Sequence, residues 1–282
     1  PKGGDRPITI TATLFAVTME TQGLPMEDWR EDQAAFWDDA IRGSSALRAA
    51  LSRRLMDEMD AINNKKSLSF YCDIEKFYDS ISIPKLIAHG LAAEFPPRAL
   101  ALLLQVHLGV RILRLGRWVA EPMLPVTSII AGCKSSGQLA RLFVYPILRK
   151  QHDGYMPRQL HFRCFVDDLV LRKQCEQDPE AFERDFVEDT VEVLTDLRDR
   201  LLTHSAEKST LKSLDKHLAA RIQSRLQARG FVVAANQPVT DLGTPVGDGY
   251  RRTNKQANKR IEKNDARAKR IKFLAQKKRR AI

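Results

Sequence analysis

Two apolar runs that end in aspartate narrow what this chain can become. LSFYCDI (68–74) reads as a strand closing on Asp73, with Asp79 six residues later. HFRCFV and LVL flank Asp167-Asp168, which reads as a hairpin with the acidic pair as its turn. Aspartate tolerates the left-handed backbone of tight turns, so a structural role for the pair is one reading. Adjacent carboxylates between strands this apolar also repel each other and need a counter-charge, which a divalent cation supplies. Their order, their apolar settings and the roughly ninety residues between the two segments favour a metal site.

The chemistry that suits such a site is nucleotidyl transfer. It needs two Mg²⁺ ions about 3.5–4 Å apart, one at the attacking 3′-hydroxyl and one at the leaving pyrophosphate. Mg²⁺ prefers carboxylate oxygens and keeps several waters, so two or three convergent aspartates suffice.

Around these segments the pattern mixes helices and strands without a βαβ rhythm, which predicts an α+β fold. A β-rich run is expected to end near Val17. Residues 31–62 read as helix, with Phe36, Ala40, Leu47, Leu51, Leu55 and Met59 close to one stripe. Residues 84–108 read as two helices broken at Pro96-Pro97, and 110–119 as a hairpin about a central Gly. Residues 137–150 suggest a helix despite Pro146, and 179–203 a strongly amphipathic one. Strands are expected again at 231–235 and 240–247.

Charge is concentrated at one end. Residues 251–282 hold 14 Lys or Arg against Glu262 and Asp265, a local net of +12, which leaves the other 250 residues at −1. A basic arm on a nearly neutral body points to a polyanionic partner. Ala257, Ile261, Ala268, Ile271 and Ala275 recur at helical steps, so the arm is expected to be a weakly amphipathic helix, with a targeting signal or an unstructured arm as the other readings. The four cysteines lack zinc spacing and read as thiols in a reducing compartment. No apolar run approaches the length of a membrane span. Because the chain opens on Pro1, it reads as a piece of a longer protein.

With these residues in order, the sequence resembles the reverse-transcriptase family, in its non-LTR retroelement and group II intron branch. PKGGDRPIT resembles the fingers motif that holds the incoming triphosphate, through Lys2 and Arg6. YCDIEKFYDSI resembles motif A, with Asp73 as metal ligand and Tyr78 at the sugar-gate position. AGCKSSGQLARLF resembles motif B, with Gly132 and Ser136 in the matching positions. CFVDDLVL resembles motif C, HSAEKST motif D with Lys208, and TDLGTPVG motif E, the primer grip, with Leu242 and Gly243. Motif B departs from the family pattern: Ala131 replaces the usual Gln, Cys133 the acid and Lys134 the proline, and Ser136-Gly137 stands for Ser-Pro.

The resemblance implies a right-hand polymerase fold with fingers at 1–66, a palm at 67–249 carrying a finger-like insertion at 84–160, and a basic helical tail or start of a thumb at 250–282. It implies two Mg²⁺ ions, with Mn²⁺ as a substitute, held by Asp73, Ile74, Asp167 and Asp168. Lys208 is then the proton donor to pyrophosphate, Lys2 and Arg6 bind the triphosphate, and Gly132 and Ser136 line the nucleotide pocket. The ring of Tyr78 would pack beneath the sugar and exclude a 2′-hydroxyl. The implied partners are an RNA or DNA template with a primer and deoxynucleoside triphosphates, in the cytoplasm or nucleus, without membrane association. An RNA-templated RNA polymerase, or a catalytically silent relative that only binds RNA, remains the alternative.

Overall fold

A computed structural model describes residues 13–112, 114–153, 160–175, 178–237, 239–242, 244–246, 258, 261–262, 264–265 and 268. A five-stranded sheet positions everything else. Its order is β4 (His161–Phe165), β5 (Asp168–Gln174), β1 (Ser67–Cys72), β6 (Thr210–Ser213) and β7 (Ala234–Ala235). All its pairings are antiparallel except β6 with β7. Every residue of β1 is buried, because helices cover both faces of the sheet. Such a strand shows a continuous apolar run rather than clean alternation.

The two faces are covered by different chemistry. The register pairs Leu68 with Lys173, Phe70 with Leu171 and Cys72 with Leu169 on one face, which meets α8 (Pro179–Asp199) and α9 (Lys216–Ala228). There Phe186, Val193, Leu194 and Leu197 of α8 and Ile222 and Leu226 of α9 join the core. Lys173, buried on that face, donates to Asp189 of α8 at 3.4 Å. The other face carries Ser69, Tyr71, Val170 and Arg172. Arg172 reaches α3 (Ala46–Ile62), where it pairs with Asp57 at 3.1 Å and with Asp60.

Helix α7 (Ser136–Asp153) adds the largest apolar mass, with Leu139, Leu142, Phe143 and Ile147 almost fully buried. It packs against α2 (Gly23–Gln33), α5 (Ile83–Ala92), β4 and α8. The Pro96-Pro97 break separates α5 from α6 (Pro97–His107), with Pro97 at the first helical position and Glu94 in the left-handed region. Small hairpins are formed by β2 (Arg114–Leu115) with β3 (Trp118–Val119), and by β8 (Val239–Asp241) with β9 (Thr244–Val246).

Four expectations change. The segment expected to extend to Val17 is helical from Thr13, in α1 (Thr13–Glu20), where Phe15 and Met19 meet the core four residues apart; its first twelve residues lie outside the described set. Residues 31–62 are not one helix. The chain leaves α2 so that Trp37 and Asp39 can pair with Cys164 of β4 (Cys164 N–H to Trp37 O, 2.7 Å; Asp39 N–H to Cys164 O, 2.8 Å). It re-enters helix at α3, where Ser45 Oγ accepts from the Arg48 N–H. The Leu47-Leu51-Leu55-Met59 stripe of α3 then faces outward, while Ala49, Ala50, Arg53, Asp60 and Ala61 are buried. Alanines permit close approach, and buried ion pairs hold this face to the sheet. The strand expected at 231–235 shrinks to β7, although Phe231 and Val233 are buried. Lastly, Phe165 pairs with Asp168, so the hairpin turn is Val166-Asp167 and not the aspartate pair.

In the tail, the described positions Asn258, Ile261, Glu262, Asn264, Asp265 and Ala268 are helical and exposed, as the three- and four-residue spacing predicts. Its Lys and Arg residues lie outside the described set.

Candidate active site

Strand register sets two of the expected carboxylates opposite each other. Cys72 stands opposite Leu169, so the next step outward sets Asp73, just past β1, against Asp168, the first residue of β5. Alternation places Asp168 on the face of Val170 and Arg172, and Asp73 on the face of Tyr71. Tyr71, Asp73, Asp168, Val170, Lys208 and Asp241 share one open cleft of about 270 Å³. Asp167 is one residue earlier, at the turn, where Val166 has φ +63°. A β-branched residue there is strained, and such strain gathers at functional turns.

Asp73 is fixed through its backbone. Its N–H donates to Ser209 Oγ at 3.1 Å, and its carbonyl accepts from the Ser205 N–H at 2.7 Å. This pins the 204–209 loop beside β1 and delivers Lys208, whose Nζ donates to Asp73 Oδ2 at 3.2 Å. Ile74 is buried in a β-bridge with His204.

Burial pushes the Asp168 carboxyl up to about 7; Asp167, Asp241 and Asp73 add to the rise and Arg53 opposes it. Negative charge is therefore in excess on this cleft. Hard carboxylate oxygens gathered on one cleft are the donor chemistry that suits Mg²⁺ or Mn²⁺. Side chains have not closed into a cage: among the described residues, no three Asp, Glu, His or Cys side chains converge as a metal-holding group. Protein cations hold some of these acids instead, Lys208 on Asp73 and Arg53 on Asp241.

The remaining expected residues divide. Tyr78 lies in α4 (Phe77–Ser80), half-buried against the edge of Phe77 at 5.5 Å between ring centroids. Burial raises its phenol and Asp167 raises it further, so ring and turn carboxylate occupy neighbouring space. Its carbonyl accepts from the Ile129 N–H at 2.9 Å, joining the Tyr78 segment to the loop before α7. Gly132 in that loop has φ +99°, a conformation that costs glycine nothing. Ser136 is buried, and its hydroxyl donates to Ile130 O at 2.6 Å, so it closes the loop. Lys134 pairs with Glu20 of α1. Leu242 follows Asp241 in the turn of the β8–β9 hairpin with φ +46°. Lys2, Arg6 and Gly243 lie outside the described residues.

Two residues of the site escaped sequence reasoning. Arg53 is buried and bridges Asp39 at 3.0 Å and Asp241 at 2.7 Å, which ties α3 to the β8–β9 hairpin. Nothing local marks it among the charged residues of α3. Asp241 carries a faint signal, an acid inside a short strand-like run. His107 of α6 is also buried, and its Nδ1 accepts the Ile130 N–H at 2.9 Å behind the same loop.

Comparison with known proteins gives the family. Residues 24–276 match the family model described as reverse transcriptase (RNA-dependent DNA polymerase). Among solved structures, the chain is similar to apo telomerase from Candida tropicalis truncated from its C-terminal domain, at 11% identity and TM-score 0.49, covering 70% of this chain and 40% of that one. A second structure, apo telomerase from Candida tropicalis, matches at 10% identity and TM-score 0.48, covering 70% of this chain and 36% of that one. This chain thus spans less than half the length of either telomerase chain. No curated protein matches it. With the family model spanning nearly all of the sequence, the chain belongs to the reverse transcriptase (RNA-dependent DNA polymerase) family, and its five-stranded sheet is the palm of a right-hand polymerase fold.

Proposed function

We propose that this protein is an RNA-directed DNA polymerase that extends a primer 3′ end with deoxynucleotides. The observation that carries this reading is the opposition of Asp73 and Asp168 at the ends of β1 and β5, on a cleft that also receives Lys208. Asp73, Asp167 and Asp168 are the residues that would hold the divalent ions. Those ions, when bound, activate the attacking 3′-hydroxyl and neutralise charge on the leaving pyrophosphate. The chain's own groups do the rest. The strand pair sets the spacing of the carboxylates, and the Ser205 and Ser209 contacts hold the Asp73 backbone still. In this reading Lys208 gives its proton to the departing pyrophosphate oxygen, and the Tyr78 ring packs beneath the incoming sugar.

The test is primer extension on an RNA template with Mg²⁺ or Mn²⁺, deoxynucleotides and ribonucleotides being supplied separately. Deoxynucleotide-specific extension is expected. Asp167→Asn should lower it on the order of 10³-fold or more while template–primer affinity stays within about twofold. Preferential ribonucleotide extension would make the protein an RNA polymerase. Binding without extension under either metal would leave it a silent nucleic-acid binder.

A further inference from the structure

Between α6 and α7 the chain exposes a surface that the proposed reaction does not use. Strands β2 and β3 turn about Gly116, which has φ +62°, and Arg114 Nε locks the turn by donating to Gly116 O at 3.1 Å. Nearer the base, Arg111 and Met123 exchange backbone hydrogen bonds of 2.8 and 3.0 Å. The base is tied to the Tyr78 segment. The Arg111 guanidinium donates to Ser128 O at 2.7 Å and to Ser128 Oγ at 3.1 Å, and Ser128 Oγ donates to Asp79 Oδ1 at 3.3 Å. The hairpin is therefore tied to α4, the helix that carries the proposed sugar gate.

Its tip is apolar and basic together. Trp118 is 82% exposed, and Val119 beside it and Ile112, Leu124 and Val126 nearer the base are each more than half exposed. Arg114 and Arg117 are exposed on the same hairpin against one acid, Glu121. Large apolar side chains gathered on a surface mark a contact site. The indole follows Arg117 directly, and the Arg114 guanidinium is held at the same turn. An open indole with guanidinium groups beside it suits an unpaired strand, because stacking needs a base free of its duplex and guanidinium groups take the phosphates.

We propose that the β2–β3 hairpin is a second nucleic-acid contact, where Trp118 stacks on a base of a single-stranded segment and Arg114 and Arg117 hold its phosphates. The proposal rests on the polymerase reading for the presence of a strand nearby. Positive charge and attachment to α4, which carries Tyr78, favour nucleic acid over a protein partner for this hairpin.

Intrinsic fluorescence gives a direct readout, since Trp29 and Trp37 are buried and Trp118 is the accessible indole. Unstructured oligo(dT) and oligo(rU) should shield Trp118 of the full chain from acrylamide quenching. Trp118→Ala should weaken oligonucleotide binding about tenfold, and the Arg114→Ala/Arg117→Ala double variant should flatten the salt dependence by about 1.4 units. Replacing side chains this exposed leaves the core untouched, and duplex template–primer binding is measured in parallel as the control. If the unaltered chain binds duplex while Trp118→Ala binds oligonucleotide equally well and the indole stays quenchable, the hairpin assignment alone is overturned. If the unaltered chain binds no nucleic acid, the polymerase reading falls with it. Shielding that depends on protein concentration, without oligonucleotide, would reassign the face to contact between copies of this chain.

Discussion

Lys208 Nζ rests 3.2 Å from Asp73 Oδ2, so the expected proton donor and an expected metal ligand already meet through one hydrogen bond. The pair is largely open to water, and such surface pairs contribute little to stability. Its importance lies in placement. Lys208→Met should slow single-turnover incorporation about 10²-fold, within the range of general-acid catalysis, without shifting template–primer affinity. Lys208→Arg separates two roles, because arginine keeps the charge and does not release its proton. An arginine variant as fast as wild type would limit Lys208 to holding Asp73.

Tyr78 offers a test of sugar selection. Its ring is half-buried against Phe77 and close enough to Asp167 to feel its charge. Tyr78→Val removes the ring and should raise the ribonucleotide-to-deoxynucleotide incorporation ratio about tenfold or more, the scale of a lost steric exclusion. An unchanged ratio, measured with competing substrates, would make the ring a packing element.

Arg53 is the buried cation between Asp39 and Asp241. Removing one partner of a buried ionic set leaves the other charges uncompensated, which costs roughly 3–5 kcal/mol. Arg53→Met should therefore lower the denaturant midpoint by a corresponding amount. Arg53→Lys should recover only part of it, since one ammonium does not reproduce the guanidinium fork that spans both acids.

His107 predicts an acid-sensitive window. Burial, with Arg111 adding to it, holds its imidazole down to about 4 against an ordinary 6.5. The unfolded chain then binds the proton first, so this contribution is fully present above pH 6.5 and is lost as pH falls from about 6.5 to about 4. The full loss is about 3 kcal/mol. His107→Asn, whose side-chain oxygen can accept the Ile130 N–H in place of Nδ1, should flatten that window in urea titrations at pH 7, 5.5 and 4. Burial also lowers His89 and His161, so the difference between wild type and variant isolates His107.

What the sequence determined by itself is the local frame of the palm. The apolar run before Asp73, the hairpin around Asp167 and Asp168, the proline break between α5 and α6, and the apolar stripe of α8 all follow from periods and turn chemistry acting over a few residues. Even there, the turn lies one residue earlier than the acidic pair suggests, because pairing of Phe165 with Asp168 sets the register. The tertiary structure alone decided which side of α3 is buried. Its leucine stripe argued for one face, and Arg53, Asp57 and Asp60 took the other, because their partners on β5 and β8 are charged. Arg53 and Asp241 lie 188 residues apart, and a buried charge is stable only where its counter-charge arrives. No local pattern encodes that meeting; the folded sheet brings it about.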